Sequence, residues 1–189
     1  MLLGCSNQPN LNPAPTPGSG AEISLSGIWV FDQQDEQSFQ HLQNALNYVP
    51  LVLKQRRSNY GQNHSQSDFQ HREQKILRDL LVGLLTIVPK ELYILQTEQK
   101  VAIDFGVAGY HSFNILQQTK IIIDGFEIVA FAGWKKRDLI ISLSMGSSYQ
   151  LIEKFSLINP RQLEETIELQ IVGREKALTH KRYFIKKPN

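Results

Sequence analysis

The sequence predicts a mainly β protein, α+β by content, built as an antiparallel up-and-down barrel with a two-helix insertion after the first strand. Near residue 23, apolar and other residues alternate, as in a strand. Two stretches follow in which apolar residues recur every three or four positions, as in a helix. From residue 90 onward, apolar residues recur at every second position. Short turn sequences such as Gly146-Ser147 and Asn159-Pro160 connect the later strands. A long meander of this kind most simply closes on itself, because closure removes its exposed edges.

The first strand and the two helices have clear sequence signals. The strand is predicted over Ile23–Asp32, where apolar and small residues alternate. The first helix is predicted over Glu36–Gln55, with Pro50 kinking or breaking it. The second is predicted over Asp68–Val88, with Pro89 ending it. In the first helix a single apolar stripe is formed by Phe39, Leu42, Leu46, Val49 and Leu53.

The second predicted helix has a wide apolar stripe that must be covered. The stripe consists of Ile76, Leu77, Leu80, Leu81, Leu84, Leu85 and Val88. Burial against the rest of the domain explains it without further assumptions. The alternative is an exposed patch at Leu80 and Leu84 that contacts a membrane or a partner.

About nine or ten strands are expected in all, the first of them before the helices. In one later strand Leu139, Ile141, Leu143 and Met145 face the same side. The acidic residues Glu164, Glu165 and Glu168 are expected on an outer, solvated face. The barrel could hold one small ligand or be filled by its own side chains. The bulky candidates for its interior are Phe105, Phe113, Phe131, Trp134 and Tyr183.

The N-terminal stretch differs in composition from the rest of the chain. Residues 1–20 have no charged side chain and contain Pro9, Pro13, Pro15 and Pro17. Such a segment cannot bury a core, so we expect a flexible tether over 5–22. A single barrel domain is then expected over 23–187, with the helical insertion at about 33–89.

The start of the chain, Leu2-Leu3-Gly4-Cys5, resembles the lipobox of bacterial lipoproteins. The resemblance implies that residues 1–4 are the remnant of a signal peptide and that Cys5 carries a diacylglycerol and an acylated amino group. Two or three acyl chains give stable membrane anchoring. Only four residues precede Cys5, so the remainder of a secretory signal is expected upstream of Met1. Without lipidation, Cys5 is a free thiol on a cytosolic tail.

By the same resemblance, Ser6 after the cysteine favours the outer membrane of a Gram-negative cell, with the protein facing the periplasm. The expected location is therefore the bacterial cell envelope, where the protein is held by its lipid anchor.

The stretch "SGIWV" resembles the Gly-x-Trp motif on the first strand of lipocalin-like (calycin) barrels, with Gly27 and Trp29 at the motif positions. The resemblance implies that Trp29 closes the bottom of the barrel and that an arginine of the last strand lies across its indole. Arg182 is the matching candidate for this cation–π contact, and Arg174 is the second. The C-terminal region also resembles small bacterial lipocalin-like envelope proteins of unknown function.

This resemblance covers residues 24–32 and 90–187. It does not cover 33–89, where the helices either cap one mouth of the barrel or pack outside it.

Charge and motif content disfavour several classes of function. The net charge of +2 and pI of about 8.6 come from a small basic excess, which is weak support for nucleic-acid binding. The basic run near the C-terminus fits a solvated strand end. The five histidines, His41, His64, His71, His111 and His180, have no metal-ligand spacing, so neither a metal nor another cofactor is expected. No nucleophile motif is present, and no catalysis is expected.

The leading hypothesis is a membrane-anchored envelope lipoprotein that binds a small apolar ligand or supports envelope assembly. Its expected partners are the membrane, through the lipid anchor, and possible envelope proteins. The alternative is a protein-interaction or inhibitor module that uses the helices or the barrel loops as its contact surface.

Overall fold

The computed structural model describes residues 23–47, 75, 79–105, 109–123, 125–145, 149–172 and 174–188. Ten strands and a twelve-residue helix are delimited within these ranges. This is the mainly β architecture that the alternating pattern predicts, with helical structure after the first strand. The elements are β1 (Gly27–Gln34), α1 (Glu36–Asn47), β2 (Glu91–Gln96), β3 (Lys100–Asp104), β4 (Tyr110–Asn114), β5 (Gln118–Ile123), β6 (Phe126–Lys135), β7 (Asp138–Met145), β8 (Tyr149–Asn159), β9 (Gln162–Ile171) and β10 (Leu178–Lys186).

The described strands form one antiparallel sheet in the order β4-β3-β2-β1-β10-β9-β8-β7-β6-β5. The sheet curls into a nearly closed barrel in which β4 and β5 meet without a ladder between them. The seam is bridged where the Leu116 amide donates to the Ala132 carbonyl at 2.8 Å and Ile115 pairs with the same residue. The predicted antiparallel barrel is confirmed, with this gap in the hydrogen-bond ladders of its described strands. The short connection after β4 turns toward β6, helped by Leu116 at a φ of 61°.

Successive side chains of each strand face opposite sides of the sheet, and this decides which residues fill the interior of the barrel. On β7 the predicted inward residues Leu139, Ile141, Leu143 and Met145 are all buried. Phe113 and Trp134 are buried as expected, and Phe105 packs against the core. Phe131 and Tyr183 were also expected inside, which is wrong. They pair with Ser142 and Glu164 and share the outer face with them.

Helix α1 begins at Glu36, as predicted. The Asp35 side chain caps it by accepting a 3.3 Å hydrogen bond from the Ser38 amide. Leu42 and Leu46 bury the apolar stripe of the helix. The rest of the predicted helix, residues 48–55, lies outside the described residues.

A second helical segment covers residues 79–86, two residues short of the predicted end at Val88. Its predicted start at Asp68 lies outside the described residues. Leu80, Leu81 and Leu85 are buried, so in this segment the wide stripe is covered by the domain itself. No helix in the described ranges is long and apolar enough to cross a bilayer.

One end of the barrel is closed by the residues that precede β1. The Gln96 side chain donates to the Ile23 carbonyl at 2.7 Å and accepts from the Leu25 amide at 2.9 Å. The Trp29 indole donates to the Leu25 carbonyl at 2.8 Å, and both residues are fully buried. The predicted strand over Ile23–Asp32 therefore starts only at Gly27, because the preceding residues bend beneath the barrel.

Candidate functional site

Three ionisable side chains occupy the inward faces of adjacent strands: Glu153 on β8, Glu165 on β9 and Arg182 on β10. Their exposed fractions are 5%, 1% and 3%. Arg182 is the direct cross-strand partner of Glu165. Glu153 stands opposite Ile167 and is therefore the diagonal neighbour of Glu165, within about 8 Å. Register alone brings two carboxyl groups and one guanidinium together inside the barrel.

The Arg182 guanidinium links the strands to the second helical segment. Its Nη2 donates a 2.7 Å hydrogen bond to the Leu85 carbonyl, and its Nη1 lies 3.4 Å from Glu165 Oε2. The contact with Glu165 is long for a charge-assisted hydrogen bond. The carbonyl at the end of the helix is thus the closer of the two partners.

Burial changes the protonation of both carboxyl groups. It raises the pKa of Glu153 to about 8, and the nearby charge of Glu165 adds to the effect while Arg182 opposes it. Burial also raises the pKa of Glu165, against the opposing charge and hydrogen bond of Arg182. Both carboxyl groups therefore keep their protons to a higher pH than an exposed glutamate does, and Glu165 is the one that contacts the guanidinium.

Glu165 was expected on the outer, solvated face, and that expectation is wrong. It points inward with Leu163 and Ile167, whereas Glu164 and Glu168 point outward. The sequence could have shown this, because residues two positions apart on a strand share a face of the sheet, and Glu165 lies two positions from both Leu163 and Ile167.

Several buried polar atoms on these strands have no hydrogen-bond partner within the described part of the chain. Four of them share the inward faces: Glu153 Oε2, Arg182 Nε, His180 Nε2 and Gln34 Oε1; a fifth, Ser156 Oγ on β8, lies opposite the outward-facing Glu164. Gln34 is the cross-strand partner of Arg182, and His180 shares Ile167 as a cross-strand partner with Glu153. All four therefore belong to the run of neighbouring strands β8, β9, β10 and β1. A buried polar atom without a partner costs free energy, so a group that satisfies these atoms would be stabilised there.

His180 connects this region to α1. Its Nδ1 lies 3.1 Å from Ser38 Oγ, and that hydroxyl donates to the Asp35 carbonyl at 3.0 Å. In this arrangement the ring donates through Nδ1, because a serine has a single O–H, and Nε2 is left as an acceptor. Burial, helped by the charge of Arg182, lowers the pKa of His180 to about 4. His180 is thus a neutral hydrogen-bonding group.

An open groove of about 600 Å³ runs along the outside of α1. It is polar and is lined by Asp35, Gln37, Ser38, His41, Asn44 and Thr179. Among the described residues, no group of three or more His, Cys, Asp or Glu side chains could hold a metal.

The residues of the Gly-x-Trp motif lie at the closed end of the barrel. The cation over the Trp29 indole is Lys186, whose Nζ is 5.3 Å from the ring centroid. Arg182 was the expected cation, but it stands opposite Gln34. Arg182 lies four residues before Lys186 on β10, which is about 13 Å along the strand. Lys186 takes the position because it is the direct cross-strand partner of Trp29.

Gly27 has a φ of +144°, and a Cβ there would meet Lys186 Cε at 2.8 Å. Arg174, the second candidate for the indole, is exposed beyond the end of β9. Cys5, the predicted lipidation site, lies outside the described residues.

Solved structures with the same overall fold were found. A secretory abundant heat soluble protein from Ramazzottius varieornatus aligns with a TM-score of 0.53 and 15% identity, over 92% of this chain and 99% of its own. Secretory abundant heat soluble protein 4 from the same organism gives 0.51 and 14%, over 86% and 94%. A fatty acid transporter aligns at 0.48 and 12%, over 87% and 97%. The likeness to the two heat soluble proteins supports the fold alone, an antiparallel β-barrel. Searches against protein-family models and curated protein sequences gave no match.

Proposed function

We propose that the protein binds a small, mainly apolar molecule inside the barrel and does no chemistry on it. The observation that supports this proposal is the set of buried polar atoms without hydrogen-bond partners in the described part of the chain, which includes Glu153 Oε2 and Arg182 Nε. The aliphatic and aromatic side chains around them suit an apolar body. The polar atoms suit a head group that fixes its orientation.

Structural stability alone is a poor reason to keep this cluster. A buried ion pair is commonly matched or exceeded in stability by apolar side chains of similar volume. Here a second carboxyl group, Glu153, adds a desolvation cost that Arg182 does not offset. Ligand binding would explain why a cluster that lowers stability is present.

Access requires movement of a covering element, because the inward residues of the strands are buried in this structure. The second helical segment is a candidate cover. It contributes Leu85 to the core and accepts the Arg182 hydrogen bond at its last turn. Movement of this segment away from the strands would open the interior to a ligand.

The proposal can be tested by exchanging the cluster for apolar residues. A variant with Glu153→Leu, Glu165→Leu and Arg182→Met should stay folded, since it leaves no buried charge unpaired, and should lose its ligand. The matched control changes the outward-facing Glu164→Gln, Glu168→Gln and Lys181→Met. Mass spectrometry of extracts from natively purified protein should find one small molecule per chain in the natural protein and the control. Equal amounts in all three, or none in the natural protein, would contradict the proposal.

We further propose that the protein is anchored in the bacterial envelope through a lipid on Cys5, with the outer membrane facing the periplasm as its site. Charge at the closed end of the barrel supports this. Two turns and the end of β10 carry basic residues close to Ile23, from which the chain leads back to Cys5. Acidic residues at this end are Glu98, Asp138 and Glu91, whose Oε1 lies 3.0 Å from Lys187 Nζ. The basic residues are Lys136, Arg137, Arg161, Lys186 and Lys187.

Basic groups beside an acyl anchor are attracted to anionic lipids. In a chain that carries a full secretory signal, Cys5→Ser should move the protein from the membrane fraction to the soluble fraction, and Ser6→Ala should not. Retention of the Cys5→Ser variant in the detergent phase would exclude the lipid anchor.

A further inference from the structure

The interior has more hydrogen-bond acceptors than donors without partners. Within the described residues, His180 Nε2 and Gln34 Oε1 are acceptors, and Glu153 Oε2 becomes one when its carboxyl group loses its proton. The corresponding donor is a single N–H, at Arg182 Nε. The complement of this set is a head group that mainly donates.

The charges of the interior point in the same direction. The ionisable groups on the inward faces of β8, β9 and β10 are Glu153, Glu165, His180 and Arg182. The inward residues of β6 and β7 that pack beside them are uncharged, namely Ile128, Ala130, Ala132, Trp134, Leu139, Ile141, Leu143 and Met145. Among these described inward residues, Arg182 is thus the one guanidinium beside two buried carboxyl groups, and its side chain contacts Glu165 and not Glu153. A ligand carboxylate would bring a third acidic group to this place, without a further cation to pair with it.

We infer that the head group bound beside Glu153 is an ammonium, carried on an apolar body, and not a carboxylate. This inference rests on the proposed function, since it names the chemical class of that ligand. An ammonium supplies three N–H donors and one positive charge, and so matches both the acceptors and the charge of the interior. Binding would displace the proton of Glu153 into solvent and leave a carboxylate–ammonium pair. The raised pKa of Glu153 agrees with a carboxyl group that lacks a cation of its own.

Three ligands with the same twelve-carbon chain separate the possibilities: dodecylamine, 1-dodecanol and dodecanoate. Calorimetric titration of the full chain below the micelle concentration should show dodecylamine binding about tenfold or more tightly than either of the others. Its affinity should rise with pH from 6.5 to 8, since one proton is released on binding, by up to tenfold per pH unit. The affinity of dodecanol should stay constant over the same range.

Glu153→Gln keeps the shape of the protonated side chain and removes its acidity. In this variant dodecylamine should bind no more tightly than dodecanol, while dodecanol itself still binds. Glu168→Gln, on the outer face of β9, is the matched control and should keep the preference for the amine.

Dodecanoate binding as tightly as the amine would overturn the inference. So would an amine preference that survives Glu153→Gln. In both cases an apolar ligand is still bound, and the proposed function stands. If none of the three compounds binds, the proposed function fails together with the inference.

Discussion

Arg182 on β10 and Leu85 at the last turn of the second helical segment are joined by a 2.7 Å hydrogen bond across 97 positions of sequence. The donor is a buried guanidinium and the acceptor a helix-end carbonyl, a type of group that otherwise lacks a partner. One side chain therefore both satisfies the helix end and balances the charge of Glu165.

Arg182→Leu should destabilise the protein by about 3–5 kcal/mol, because Glu165 and the Leu85 carbonyl would both lose a buried partner. Urea unfolding measures the loss, and hydrogen exchange should show faster opening of residues 79–86. Arg174→Leu, at an exposed position, should change stability by less than about 0.5 kcal/mol. A loss below about 1 kcal/mol for Arg182→Leu would mean that the guanidinium does not hold the helix end.

The closed end of the barrel should tolerate no side chain at Gly27. Gly27→Ala places a Cβ on a backbone with φ of +144° and 2.8 Å from Lys186 Cε, so we expect a loss of about 1–3 kcal/mol. Gly83→Ala is the matched control. Its Cβ would meet only Ile87 Cδ1, at 3.9 Å, and a helical alanine should add about 0.5–1 kcal/mol. Thermal unfolding of both variants distinguishes them by the sign of the change.

Glu153 should make the folded state less stable as the solution becomes more alkaline. Its pKa is about 8 in the folded protein against an ordinary value of 4.5. The folded state therefore holds the extra proton between these values, and stability falls as pH rises from 4.5 to 8, by at most about 1.4 kcal/mol per pH unit.

Glu153→Gln should reduce this slope, most visibly between pH 6.5 and 8, where His180 no longer contributes; the raised pKa of Glu165 accounts for what is left. Glu98→Gln, at an exposed turn, should leave it in place. Urea titrations at several pH values provide the comparison, and an unchanged slope in Glu153→Gln would show that this carboxyl group is not the source.

His180 should act in the opposite direction at lower pH. Its pKa is lowered from 6.5 to about 4. The unfolded chain therefore takes up a proton first, and the contribution of His180 is lost as pH falls from 6.5 to 4, by up to about 3 kcal/mol.

Glu153 and Glu165 change the free energy of unfolding in the opposite direction over this pH range. The measurement is therefore the free energy of unfolding of the natural protein minus that of His180→Gln. The difference should shrink as pH falls through this window. His41→Gln, at an exposed position on α1, should give a constant difference. A constant difference for His180→Gln would contradict the assignment.

Local sequence patterns were enough to predict most of the fold. Alternation on β7 and on β9, the spacing of Leu42 and Leu46, and turn residues between strands are properties that neighbouring residues determine. The seam between β4 and β5 could not be read in this way, because it depends on how Ile115 and Leu116 dock against Ala132 on β6.

The candidate site was only partly visible in the sequence, for the same reason. The cluster forms through cross-strand register among β8, β9 and β10. A tight turn fixes the register between β8 and β9, but the longer connection between Ile171 and Leu178 gives no such signal for β9 and β10. Glu165 was nevertheless detectable, because it lies in phase with Leu163 and Ile167. Lys186 over Trp29 was missed because the alignment of the last strand against the first decides which cation reaches the indole.

The position of β10 between β1 and β9 has a consequence for how the chain is synthesised and folded. Strands β5 to β9 can pair one after another as hairpins while the chain emerges. Strand β1 pairs on one side with β2 and on the other side with residues 182–186, which are made after all the other described strands. Such distant pairing is slow to form. The two halves of the sheet thus join only after β10 has been made, and a chain cut before Leu178 would leave Trp29 at an open edge.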